Sequence, residues 1–342
     1  MRKLRILVLM HESLIPPDSL QGYSDKQMQP WKTEFDVVAT LKEMGHEAMP
    51  VGVSDDLAPL RDAVRRWKPH VTFNLLEEFH SVATYDHYVV SYLELLRQPY
   101  TGCNPRGLML AHDKALSKQI LSFHRIATPG FVLVPRGKRA RRPRRLGFPL
   151  LVKSTVEDAS LGIAQASVVY NDEKLADRVA FVHEQLRSDA MVEQYIEGRE
   201  LYVGVIGNQR LQTLPVWEML FTHLPDGAPR IATAKVKWDH EYQKRHGIKT
   251  EAARDLPPGM AERIARLGRR VYRALGRSGY ARMDLRLGED GRIHVLEANP
   301  NPNLAYGEDF AESAETIGIS YEALLERIVR LALRYPAPWA AQ

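Results

Sequence analysis

Apolar runs that look like β-strands alternate along this chain with amphipathic runs that look like helices. Each kind buries its apolar side against the other, so the alternation points to an α/β protein. A first block reads as a strand over 4–10, a helix over 33–44, a strand over 48–53, a helix over 57–67, a strand over 70–74 and a helix over 87–96. It has the order of a small doubly wound unit. No GxGxxG follows its first strand, so the dinucleotide fingerprint is missing. A second block, from Asp113-Lys114 onward, reads as a helix to about 124, strands over 131–134, 148–153 and 166–169, a helix over 173–187 and a strand over 191–195. The third opens with strands over 200–206 and 211–219, crosses a polar stretch over 232–255, and continues with a helix over 259–275. A hairpin and a helix over 321–333 follow.

The hairpin is the segment richest in chemistry. Two β-looking runs, 280–287 and 292–298, are joined by Gly288-Glu289-Asp290-Gly291. The expected register sets Leu287 against Arg292, Asp284 against Val295 and Arg282 against Glu297. Alternation puts Met283, Leu285 and Leu287 on one face and Arg282, Asp284, Glu297 and Asn299 on the other. Asp284 and Glu297 are then diagonal neighbours, roughly 7–8 Å apart at the backbone. Two carboxylates and an amide oxygen beside an arginine suit Mg²⁺ carrying a phosphate. Taken alone, the hairpin is better explained by ion pairs with Arg282 and Arg286 on a solvated face, which are common.

Composition excludes several classes. The 342 residues, 44% hydrophobic and 26% charged, contain no apolar run of membrane-spanning length. The start, Met1 to Arg5 and then Ile6 to Met10, imitates a signal peptide, but five apolar residues are too few, so a first strand is expected. The single cysteine, Cys103, allows no internal disulfide, and a reducing cytoplasm is the expected compartment. The net charge of +5 comes from seven basic residues between Arg136 and Arg145; without them it is −2. That run lacks interleaved aromatics and contains Pro143, which favours a solvated connector over a nucleic-acid grip.

Other constellations are weak singly. Lys153 ends a strand before Ser154-Thr155-Val156-Glu157-Asp158-Ala159-Ser160-Leu161-Gly162, a small-residue loop able to fold over phosphates, though without P-loop spacing. Glu193 to Glu200 joins two blocks, a frequent place for a cofactor cleft, where Glu193 and backbone groups could read an adenine edge and Glu200 could accept from ribose hydroxyls. A hydrophilic linker explains the same residues. Lys235 lies in Ala234-Lys235-Val236-Lys237, within a stretch that reads equally as a lid or as an exposed loop. No HExxH, GxSxG or cysteine-based zinc spacing is present.

Lys114, Lys153 with its loop, Glu193 to Glu200, Lys235, Arg282-x-Asp284 and Glu297-x-Asn299 occur in the order that resembles the ATP-grasp superfamily. They are most similar to its D-alanine–D-alanine ligase-like branch, over nearly the whole chain. The segment from Asn104-Pro105 to Lys118 also resembles that branch's entry to its central domain. The resemblance implies a three-domain α/β ATP-grasp fold, with an N-terminal Rossmann-like domain over 1–112. Central (113–198) and C-terminal (199–342) α+β domains would clamp ATP. It implies that Lys114, Lys153 and Lys235 contact ATP phosphates and that the loop carrying Ser160 closes over the γ-phosphate. Glu193 and the backbone near Ile196 would hold adenine, and Glu200 the ribose. Asp284, Glu297 and Asn299 would bind two Mg²⁺ (or Mn²⁺) ions, and Arg282 would steady the transferring phosphoryl group. The implied reaction activates a small carboxylate as an acyl phosphate and passes it to an amine, giving ADP, phosphate and an amide. The resemblance also suggests a homodimer.

The departures fall where dipeptide-forming relatives recognise amino acids. The loop reads Asp158-Ala159-Ser160, so the middle serine is Ala159, and the tyrosine beside the loop lysine is Val236. The serine expected for the second substrate's carboxylate gives way near Glu308-Asp309. N-terminal signals are replaced around Glu77-Glu78-Phe79-His80 and Tyr85-Asp86-His87, which leaves Glu12, Glu77, His80, Glu308 and Asp309 as candidate substrate residues. An acidic pair repels a carboxylate in a partly desolvated pocket, so D-alanine is not the expected nucleophile. Two rival functions remain at this level: a non-catalytic ATP- or polyanion-binding protein, and an ATP-grasp phosphotransferase.

Overall fold

The computed structural model describes residues 3–155, 162–225 and 227–341. Three sheets carry the chain. The first is parallel, with β1 (Arg5–His11) between β2 (Glu47–Val53) and β3 (Val71–Asn74). The middle of β1 is buried without interruption, as a strand covered on both faces requires. The second is antiparallel, in the order β4 (Phe131–Val134), β7 (Ala190–Gln194), β5 (Leu150–Ser154) and β6 (Val168–Val169). The third is antiparallel: β10 (Ile248–Ala252), β9 (Gln212–Phe221), β8 (Gly198–Ile206), β11 (Tyr280–Gly288) and β12 (Ile293–Pro300).

The cores do not follow sequence order. On one face of the parallel sheet, Leu4, Ile6 and Val8 pack with Leu304, Phe310, Leu324 and Ile328 from the far end of the chain. The third sheet is backed by the helix Met260–Ala274, whose Ile264 and Val271 meet Val203, Val205, Met283 and Leu285. Leu121 of the helix Lys114–Phe123 joins that core and not the central one. The polar stretch after β9 forms two short helices, Ala234–Trp238 and His240–His246, before β10. Among the described residues no helix is long and apolar enough to cross a membrane.

The hairpin forms, but its register differs from expectation. A bulge leaves Leu296 without a partner, so Asp284 stands directly opposite Glu297 and Arg282 opposite Asn299, while Leu285 faces Val295. The correction has a physical cause. Without the extra residue, Glu297 would sit diagonal to Asp284; with it, both strands keep their apolar residues in the core and their polar ones on the open face.

The helix Lys32–Glu43 turns one carboxylate inward: Glu34 is only 5% exposed. Desolvation raises its carboxyl to about 7, helped by the charge of Glu77 and opposed by its own backbone N–H. A raised folded value means that this group's share of stability is intact below the ordinary 4.5 and is lost as pH climbs towards 7. Glu34→Gln should therefore match the wild type at pH 5 and exceed it by about 2–3 kcal/mol at pH 8. Urea titrations at the two pH values check this; a gap that fails to widen refutes it.

Candidate active site

A cleft of about 630 Å³ runs between the second and third sheets, lined by Lys153, Glu193, Ile196, Glu200, Lys237, Asp284, Leu296 and Glu297 among others. Its apolar wall comes from Leu151, Ile163, Tyr195, Ile196, Ile231 and Leu296. The β12 bulge is what turns Leu296 and Glu297 towards the cleft together, since strict alternation would send one of them into the core.

The end nearest the second sheet holds a chain of buried charges. Glu193, on β7, receives Lys153 at 2.8 Å and Lys118 at 3.0 Å, and all three side chains are at most 6% exposed. Desolvation raises the Glu193 carboxyl, but the two ammonium charges outweigh it and hold the group below its ordinary range. Lys153 also lies 3.8 Å from Glu297, which Lys114 approaches to 3.4 Å. Against desolvation, Lys114, Lys153 and Lys237 keep the Glu297 carboxyl at about 2. Carboxylates and lysines thus alternate across the cleft.

The floor is the open face of β8 and β11. Arg286 pairs with Glu200 at 2.9 Å, and the Tyr202 hydroxyl donates to Glu200 at 3.0 Å. One step along, Arg282 grips Asp284 with two hydrogen bonds of 2.8 and 3.0 Å. It donates a third to Asp309 at 2.7 Å and stacks 4.7 Å above the Tyr202 ring. Asn299 donates its amide N–H to Asp284 at 3.0 Å. A planar fork held by two carboxylates and a ring cannot swing, which gives this arginine one fixed direction.

Lys114, Lys153, Glu193, Ile196, Glu200, Arg282, Asp284, Glu297 and Asn299 are therefore gathered at or beside one cleft. Lys235 is exposed, and it is Lys237 that lines the cleft. Ser160 lies outside the described residues. Glu12 follows β1, and Glu77 and His80 follow β3, at the carboxyl ends of neighbouring parallel strands, and all three are exposed. Asp309 meets Arg282, whereas Glu308 is exposed just before the helix Asp309–Glu315. Partial desolvation and the adjacent Asp309 charge raise the Glu308 carboxyl.

Sequence reasoning missed Lys118, Lys237, Arg286 and Leu296. Lys118 sits one helical turn from Lys114, an i, i+4 pair that a helical reading could have placed on the same face. Arg286 shares the strand parity of Arg282 and Asp284. Leu296 has no sequence signal, because its place depends on the bulge.

Residues 119–330 match the family described as D-ala D-ala ligase C-terminus. The chain is 31% identical over 321 residues to an uncharacterized protein, y4sG, of Sinorhizobium fredii, covering 90% of each. It is 31% identical to a D-alanine–D-alanine ligase of Desulforudis audaxviator, covering 86% of this chain and 91% of that one. Among solved structures, the ATP complex of a D-alanine–D-alanine ligase from Bacillus anthracis superposes with a TM-score of 0.73 at 25% identity, covering 97% of this chain and 98% of the other.

Proposed function

The chain belongs to the D-alanine–D-alanine ligase family of ATP-grasp enzymes, which form carbon–nitrogen bonds, and on that premise we propose that it joins a small carboxylate to an amine other than D-alanine. The observation that supports the reading is the pairing of Asp284 with Glu297 across β11 and β12, facing Lys153 along one cleft. A carboxylate oxygen of the first substrate attacks the terminal phosphorus of ATP, and ADP leaves. The amine nitrogen then attacks the acyl carbon, phosphate departs, and the amine loses a proton. Lys114 and Lys153 neutralise phosphate charge, Glu193 and the Ile196 backbone hold the base, Glu200 takes the ribose, and the fixed Arg282 guanidinium meets the oxygens that gain charge. Within the three units proposed from sequence, at 1–112, 113–198 and 199–342, the cleft falls between the second and third.

Asp284, Glu297 and Asn299 fit hard divalent ions: two carboxylates and an amide oxygen on adjacent strands. Among the described residues no three acidic, imidazole or thiol groups converge on one point, so phosphate oxygens would complete the shell. Mg²⁺ held there would offset the charge of the transferring phosphoryl group.

The acceptor follows from Arg282. Three of its N–H groups are taken by Asp284 and Asp309, and Glu308 adds a further negative charge nearby. An incoming carboxylate meets repulsion from these acidic groups, whereas an amine lacking that group, or carrying a second cation, does not. The test is an ADP-release screen over paired acids and amines with product masses measured, Asp284→Asn serving as the blank. An amide product lost in the blank is expected, with paired D-alanine giving no release above it. Efficient D-Ala-D-Ala formation sinks the acceptor reading, a stable phosphate ester replaces ligation with phosphotransfer, and undiminished activity of the variant removes the metal assignment.

A further inference from the structure

Arg277, in the turn that precedes β11, is 6% exposed, and among the described residues no carboxylate pairs with it. Burial pushes its pKa down, and what opposes this is the Cys103 thiol and the Tyr272 hydroxyl. A charge taken out of water without a counter-ion is expensive. Its donors go to the main chain instead. Nη2 donates to the Ala298 carbonyl at 2.7 Å, and Nη1 donates to the Gly107 carbonyl. Ala298 lies on β12 between Glu297 and Asn299, and Gly107 lies in the helix Pro105–His112.

That stretch of β12 needs a second hold. β12 is the last strand of its sheet, so β11 alone pairs with it, and the bulge at Leu296 breaks the ladder just before Glu297. The Asn301 N–H donates to the Tyr280 carbonyl, and hydrogen-bonded pairs alternate from there, which turns the Ala298 carbonyl out to the open edge. Arg277 meets it there and ties it to a helix clamped to its own turn. Asn104 caps that helix, accepting from the Gly107 N–H at 2.9 Å, and donates to the Gly276 carbonyl at 2.8 Å. A side chain at Gly107 would bring its Cβ to 2.4 Å from the Cys103 sulfur, so the helix approaches as closely as bare backbone allows. The chain then runs through Asp113 into the helix bearing Lys114, whose ammonium lies 3.4 Å from Glu297. One guanidinium thus joins the approach to β11, the outer edge of β12 and the approach to Lys114.

We propose that Arg277 is a positioning residue: it fixes the β12 backbone so that Glu297 and Asn299 reach a divalent ion together. The inference rests on the divalent-ion reading of Asp284, Glu297 and Asn299. Arg277 touches no substrate and acts through the carbonyl that separates two of these residues. A planar fork holds two carbonyl oxygens at a set separation, which an ammonium on a flexible stem does not. Groups that orient metal ligands from behind are worth tenfold or more in metal affinity.

Uptake of Mn²⁺ by the purified protein with AMP-PNP present, followed by the paramagnetic resonance of the free ion, tests the proposal without either substrate. Arg277→Met should weaken Mn²⁺ binding about tenfold and leave the calorimetric affinity for metal-free AMP within about twofold. Arg277→Lys, which keeps the charge but serves one carbonyl at a time, should lose about threefold. Wild-type Mn²⁺ affinity in Arg277→Met overturns the proposal. A parallel fall in AMP affinity refutes it as well, since Arg277 then merely supports the fold. Should Arg277→Met not fold, Arg277→Lys decides: unchanged Mn²⁺ affinity overturns the proposal, and a loss with AMP affinity kept sustains it. A wild type that takes up no Mn²⁺ beside AMP-PNP overturns the divalent-ion reading and this inference with it, a result distinct from a loss confined to the variants.

Discussion

Glu193→Gln should lower the free energy of unfolding by about 3–5 kcal/mol, the usual cost of breaking a buried ion pair by removing one partner. Glu193 is 2% exposed and is the common partner of Lys118 and Lys153, themselves 2% and 6% exposed. Glutamine keeps the shape but leaves two ammonium groups without their carboxylate. Lys118 suffers most, because burial already lowers its pKa and the charge of Glu193 is what opposes this. The sign with pH follows from the depressed Glu193 carboxyl. Its stabilisation is present above the ordinary 4.5 and is lost as pH falls through the lower folded value. The gap between wild type and variant in urea should therefore be full at pH 7 and shrink in strong acid. Adding Lys118→Met should recover part of the loss, since a fitting apolar side chain replaces a stranded charge. Equal midpoints for wild type and Glu193→Gln at pH 7 contradict the account.

The second large effect is on rate. Arg282→Lys should reduce turnover by about 10²–10³-fold with little change in nucleotide affinity. The guanidinium meets Asp284 through two nitrogens and Asp309 through a third, while its plane rests on Tyr202. A lysine ammonium is a point charge on a flexible stem. It can satisfy one carboxylate at a time and is not held flat by a ring. The charge survives the substitution and its direction does not, so a fall in kcat with KM for ATP unchanged would separate orientation from charge. Turnover within a fewfold of the wild type would show that Arg282 does not meet the reacting oxygens. The acid and amine found by the ADP-release screen supply the assay.

Much of this was legible in the residues, for reasons that differ by element. The hairpin announced itself because alternation and a Gly-rich turn are local signals, and parity alone put Arg282, Asp284, Glu297 and Asn299 on one face. Its register was not legible, since a bulge spends one residue without leaving a mark in the pattern, and Leu296 is an ordinary leucine until the strand is seen. The parallel β2-β1-β3 sheet was readable from its alternating runs. That its core is finished by residues 304–332 was not, because no local periodicity says which distant helix covers a sheet. Lys237 was missed for a third reason. Helical phase over five residues is set by what Val236 is buried against, a tertiary fact.

The closing of the first core by the far end of the chain bears on how the molecule is made. Leu4, Ile6 and Val8 wait for Leu324 and Ile328, more than three hundred residues downstream. During synthesis β1, β2 and β3 can pair early, yet one apolar face of that sheet stays open to water until residues 304–332 have left the ribosome. The unit that is first in sequence is thus among the last to be finished, and what finishes it is the segment that follows Asn299. The strand bearing Asn299 leads straight into the residues that seal the opening sheet, so the cleft and the N-terminal core mature together.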